Sequence, residues 1–156
     1  MTAVDPTIEA ARGFVDGSLT AMRSAIAGAS ADALNRRPAG DDTNPVAVLV
    51  VHAVNSTRWW LSVSLGLPLP ERDRSSEFRT VVSGADELLA MFDPVAAECR
   101  ALLDTDVAFD AGAMREDPRD GEQVSSVWAL IHAVEHLREH VAHAELTRQL
   151  WEGGGI

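Results

Sequence analysis

The chain has 156 residues, enough for one domain that buries roughly two-thirds of the surface its unfolded form exposes. Its formal net charge is -11, and all thirteen basic residues are arginines. That balance leaves no basic stripe to neutralise phosphates and disfavours an anionic membrane surface, so neither nucleic acid nor membrane is expected as a partner. A lysine-free chain rich in Ala, Val, Gly and Asp has the composition of a GC-rich genome. The single cysteine, Cys99, excludes an internal disulfide.

No repeat, low-complexity tract or linker divides the chain, so residues 1–156 are expected to form one domain. Met1 to Phe14 carries Asp5, Glu9 and Arg12 and lacks an apolar stretch of signal-peptide length. The most apolar run, Pro45 to Val54, is too short to span a bilayer. These features predict a soluble, cytoplasmic protein.

The first helix starts at Asp5-Pro6, an N-cap followed by proline at the first helical position. Ile8, Val15, Leu19, Met22 and Ile26 then fall on one face, and Gly28 and the run to Pro38 mark a turn, with a short helical turn around Ala33-Leu34. Asn44-Pro45 repeats the cap device for a second helix ending near Leu65, with Gly66 and Pro68 as stop signals. That helix is apolar nearly all round, which implies burial on several sides or a subunit interface, and on this ground a homodimer is expected. A third helix is expected from Ser83-Gly84-Ala85-Asp86 to Leu103, with Pro94 kinking it or ending its first half. Asp104 to Glu122 is rich in Asp, Gly and Pro and reads as a long loop. Ser125 then caps a last helix that runs to Trp151 and is stopped by Gly153, Gly154 and Gly155. The fold class is all-α, a four-helix bundle; a strand at Phe78 to Val82 is the weaker alternative.

Four of the five histidines, His132, His136, His140 and His143, lie in the last helix. At about 100° per residue they sit near 0°, 40°, 80° and 20° on the helical wheel, one narrow stripe. Trp128 and Leu146 extend that stripe, so it is expected to face inward. Imidazoles four residues apart stand one turn above each other and can converge on one ion. His132–His136 and His136–His140 both have this spacing. A metal that keeps a coordination position open takes three protein ligands, and a facing helix can supply the third. His52, in the middle of the second helix, is the remaining histidine. Spacing does not choose between the two pairs, and His52 alone reads equally as a satisfied core histidine.

The stretches NPVAVLVVHAVNSTRWWL and SSVWALIHAVEHLREHVAHAELTRQLW, with the short ADALNRRP after the first helix, resemble the DinB-like superfamily of metal-binding four-helix bundles over nearly the whole chain. The resemblance implies one metal ligand from the middle of the second helix and two from a His-x-x-x-His in the last, with zinc or nickel bound. Those positions match His52, His136 and His140. The family often continues x-Gly-Gln or x-Gly-His after the final ligand, whereas this chain reads Val141-Ala142-His143. That departure leaves the part played by His143 open. His132, His143 and Glu135 are candidates to orient a ligand or face a substrate, or they are polar residues at a cavity rim. Glu139 reads as a solvated helix residue, Trp59 and Trp60 as core or interface anchors, and Cys99 as a small buried hydrophobe.

Several relatives in the DinB-like group are thiol-dependent S-transferases or isomerases, and a GC-rich composition fits a mycothiol-using bacterium. The implied function is a metal-dependent S-transferase in which the ion activates a low-molecular-weight thiol, such as mycothiol, toward an electrophilic substrate. The alternative is a non-catalytic metal-binding bundle with a stress-response or interaction role. A metal-assisted hydrolase is a third option, weakened by the lack of a clear general base beside the candidate ligands.

Overall fold

A computed structural model of the chain describes residues 5–104 and 108–154. Gly155, the first four residues and the 105–107 part of the expected loop lie outside them. The chain is mostly helical: α1 (Pro6–Ile26), α2 (Ala31–Asn35), α3 (Val46–Leu65), α4 (Arg74–Glu77), α5 (Ala85–Leu103) and α6 (Ser126–Glu152). A hairpin, β1 (Met114–Glu116) and β2 (Gln123–Ser125), precedes α6.

The four long helices form the expected bundle. α3 packs most extensively on α6 and then on α5, while α1 closes the opposite side against the same two helices. α3 and α1 are therefore diagonal, and everything near α3 is deep. Of its residues only Asn55, Arg58 and Trp59 escape full burial. Its apolar circumference is used within one chain, so it no longer argues for a second subunit.

Local chemistry sets the helix ends. The Asp5 side chain accepts the Thr7 N–H at 2.7 Å, and the Ser125 hydroxyl accepts the Trp128 N–H at 3.2 Å, as the cap positions predict. Asn44 does not cap α3; Pro45 occupies the cap position without a side-chain bond. At the other end of α3, Gly66 adopts φ 65°, and a Cβ there would meet the Arg115 guanidinium at 2.8 Å. The left-handed backbone favours glycine there, whereas the guanidinium, at the far end of a flexible side chain, is free to move aside.

Two expectations need correction. Of the two outcomes expected for Pro94, a kink or an end to the first half of the helix, the second does not occur: α5 runs unbroken from Ala85 to Leu103. The proline and Ala90, whose carbonyl loses its partner, both lie on the exposed face, open to solvent. The opposite face buries Leu88, Phe92, Ala96, Cys99 and Leu103, each large side chain contributing roughly 1.5–3 kcal/mol, which offsets a proline cost of about 3 kcal/mol. The 104–122 segment is also not all loop, because β1 lies in it and pairs antiparallel with β2, Arg115 opposite Val124. Three-residue strands are too short to show alternation.

The 78–82 stretch is not a strand. α4, which no sequence pattern indicates, is capped by Asp73 at its start and by Phe78 after its last residue, Glu77. The chain beyond is fastened to α2: Asn35 donates to the Val82 carbonyl at 2.7 Å and accepts the Val82 N–H at 3.0 Å. This clamp fixes the segment that carries α4 over the middle of α3.

Candidate metal centre

His52 stands in mid-α3 and is 7% exposed. Its Nδ1 lies 2.8 Å from Glu77 Oε2, on α4. A carboxylate can only accept, so Nδ1 carries the proton, and in the neutral ring that makes Nε2 the lone-pair nitrogen. Arg72 grips the same carboxylate twice, Nε to Oε1 at 2.6 Å and Nη2 to Oε2 at 2.8 Å. Burial raises the Glu77 pKa, but the hydrogen bonds from Arg72 and His52 outweigh it and hold the carboxyl below its usual range. The result is a buried arginine–carboxylate–histidine chain that fixes the ring and its tautomer.

His136 and His140 face His52 from α6, with ring centroids 5.1 and 5.3 Å from the His52 ring. Their own Nε2 atoms approach to 3.3 Å. Burial first, and then the neighbouring imidazoles, push the His136 pKa down to about 3; burial pushes His140 down to about 4. Both rings are therefore neutral at ordinary pH and offer lone pairs to the same point. One nitrogen from each of the three histidines can be chosen so that all lie within 4.8 Å of one another.

The donor set fits a divalent ion. Nitrogens about 2.0–2.1 Å from a tetrahedral zinc stand roughly 3.3 Å apart, which is the separation of the two α6 Nε2 atoms. Unlike His52, His136 and His140 have no carboxylate behind them: their Nδ1 atoms are buried without a hydrogen-bond partner among the described residues.

The remaining candidates scatter. His132 stacks on Trp128 at 5.0 Å, meets the edge of Trp60 at 4.8 Å and stands 5.8 Å from the His136 ring. Glu135 is 69% exposed and touches only the edge of this group, 3.5 Å from His132 Nδ1; the carboxylate that orients a cluster histidine is Glu77. His143 is exposed, its ring 5.9 Å from His140, and Glu139 is exposed as expected. The stripe as a whole does not face inward, since Trp128 is 42% and Leu146 55% exposed. The buried face of α6 is instead the row Ala129, Leu130, Ala133, Leu137, Val141 and Ala144, and the histidines lie along its margin.

That margin opens into a cavity of about 750 Å³ reaching His52, His132 and His136. Trp59 and Trp60 line it and so are more than core anchors. Arg72, Arg74 and Arg119 also line it, and no spacing or motif in the sequence marks any of the three. Glu77 and its arginine belong to a segment without helical or strand periodicity, so no spacing signal tied them to His52. Cys99 lies apart in the α5 core, fully buried, its thiol pushed up to about 12 by desolvation. It is a small buried hydrophobe, as the sequence suggests.

Among solved structures, the chain is similar to one described as a conserved protein from Enterococcus faecalis, with a TM-score of 0.73 and 18% identity over 97% of this chain and 99% of that one. At that identity the likeness shows the fold alone. No curated protein matches the chain. A family model for mycothiol S-transferases matches residues 10–153, which include the whole histidine cluster and nearly all of the bundle. The chain therefore belongs to the mycothiol S-transferase family of DinB-like bundles.

Proposed function

We propose that the protein is a metal-dependent thiol S-transferase, with a divalent ion, zinc or nickel, held by His52, His136 and His140. The observation that carries this reading is the convergence of His52, His136 and His140 beside a cavity, lined by the first two, that is large enough for a small organic substrate. An ion bound there with an open position lowers the pKa of a thiol, so that the nucleophilic thiolate forms near neutral pH. The Arg72–Glu77 pair holds His52 in the tautomer that presents Nε2. Trp59 and Trp60 give the cavity an apolar wall that excludes water from the approaching electrophile. In the transfer a sulfur–carbon bond forms, the bond to the leaving group breaks with its electron pair, and the thiol proton is released to solvent.

Family membership supports a thiol as co-substrate, with mycothiol as the species and the cytoplasm as the compartment. The hydrolase reading finds little support, because no carboxylate lines the cavity among the described residues and Glu77 is committed to Arg72 and His52.

The test is thiol transfer by zinc- or nickel-loaded protein with mycothiol and a bimane electrophile. Turnover that needs both metal and thiol is the expected result. A metal-loaded protein that shows no turnover with mycothiol, bacillithiol or glutathione would instead be a non-catalytic binding bundle.

A further inference from the structure

The cavity differs in charge from the rest of the molecule. The chain carries 24 acidic residues against 13 arginines, yet the described cavity lining has three arginines and no acidic side chain. The carboxylates that neutralise two of these arginines are withdrawn behind the wall. Glu77, 4% exposed, holds Arg72, and Asp117, 2% exposed, holds Arg119 through hydrogen bonds of 2.6 to 3.1 Å. Arg119 is fixed further by lying 4.8 Å over the Trp60 ring.

Arg74 is different. It is exposed at the cavity, and among the described residues it joins no ion pair. Its guanidinium carbon lies 4.9 Å over the Phe78 ring, and that ring lies 4.8 Å from His52. A free cation thus stands one aromatic ring away from the histidine cluster. The same cavity has Trp59, Trp60, Leu69 and Pro70 as apolar lining.

We propose that the cavity selects a small electrophile with an apolar, aromatic body and a carboxylate, and that Arg74 is the residue that binds the carboxylate. A planar guanidinium matches a carboxylate in two parallel hydrogen bonds, and its stack on Phe78 limits the freedom lost on binding. A strongly acidic protein repels anions at long range, so a cavity wall without carboxylates is what such a ligand needs. Because Arg74 stands one aromatic ring from His52, the charge is placed on the electrophile rather than on the distal part of a thiol.

This rests on the S-transferase reading for the identity of the ligand, so its test is a binding measurement that needs no turnover. Tryptophan fluorescence of zinc-loaded protein is titrated with 4-chlorobenzoate and with the neutral isostere 4-chlorobenzamide. The benzoate is expected to bind about tenfold more tightly. Arg74→Gln should abolish that preference while leaving benzamide binding and the thermal midpoint unchanged. Equal binding of the two probes by the unaltered protein overturns the proposal. So does a preference that survives Arg74→Gln, which would place the benzoate on the metal or on another arginine. Failure of thiol transfer with this preference intact would remove the S-transferase reading and leave the carboxylate site standing.

Discussion

The two halves of the histidine cluster are built differently. On the α3 side, His52 is backed by a buried carboxylate and an arginine from a separate segment, and its tautomer is fixed before any ion arrives. On the α6 side, His136 and His140 are placed by one turn of helix, and their Nδ1 atoms have no partner among the described residues. One side is held by hydrogen bonds and charge, the other by periodicity alone. The α6 pair should therefore depend on the ion for its order, and the α3 ligand should not.

The sharpest way to break this comparison is to remove a ligand. His136→Ala or His140→Ala deletes one of two nitrogens 3.3 Å apart, and a site with three protein ligands is left with two. Elemental analysis after dialysis should show bound metal falling from about one equivalent to near none. Full occupancy in either variant would remove the assignment of that residue.

The next effect bears on the α3 side alone. Arg72→Ala leaves Glu77, 4% exposed, as a buried charge with only His52 against it. An uncompensated buried carboxylate should cost about 3 kcal/mol, read from urea unfolding of the metal-free protein. Adding Glu77→Gln to the same chain should recover most of that loss, since the charge is then gone. If the double variant is no better than the single, the cost lies in the packing of the arginine stem and not in its charge.

These two tests fall on opposite sides of what the sequence reveals. His136 and His140 are legible because helical spacing is a property of consecutive residues, and the bundle follows from caps and apolar faces for the same reason. His52 is legible only as the remaining histidine on an apolar helix, and family resemblance was needed to join it to the pair. Glu77 and Arg72 are not legible at all. They reach His52 because the Asn35–Val82 clamp holds the α4 segment across α3, a contact between residues 47 apart in the chain. Long-range placement leaves no period to read. Glu135 lies beside the stripe in sequence and reaches His132, whereas the carboxylate on His52 comes from a distant segment.

A milder change separates orientation from charge burial. Glu77→Gln keeps an acceptor for the His52 Nδ1–H but loses the charge that polarises the ring. Zinc affinity, measured by competition with a chromophoric chelator, should fall about tenfold with the stoichiometry preserved. An unchanged affinity would mean that packing of His52 against Phe78, 4.8 Å between rings, positions the ligand without help from the carboxylate.

The smallest expected effect is the control for the whole comparison. Glu135 is 69% exposed, and its contact with His132 is a solvent-screened 3.5 Å pair at the edge of the cluster. Glu135→Gln should change stability by less than about 0.5 kcal/mol and leave zinc affinity where it was. A fall in affinity to match Glu77→Gln would mean that the α6 side does have a supporting carboxylate, acting through His132 on His136. The two halves of the site would then be alike, and the unpartnered Nδ1 atoms would no longer distinguish them.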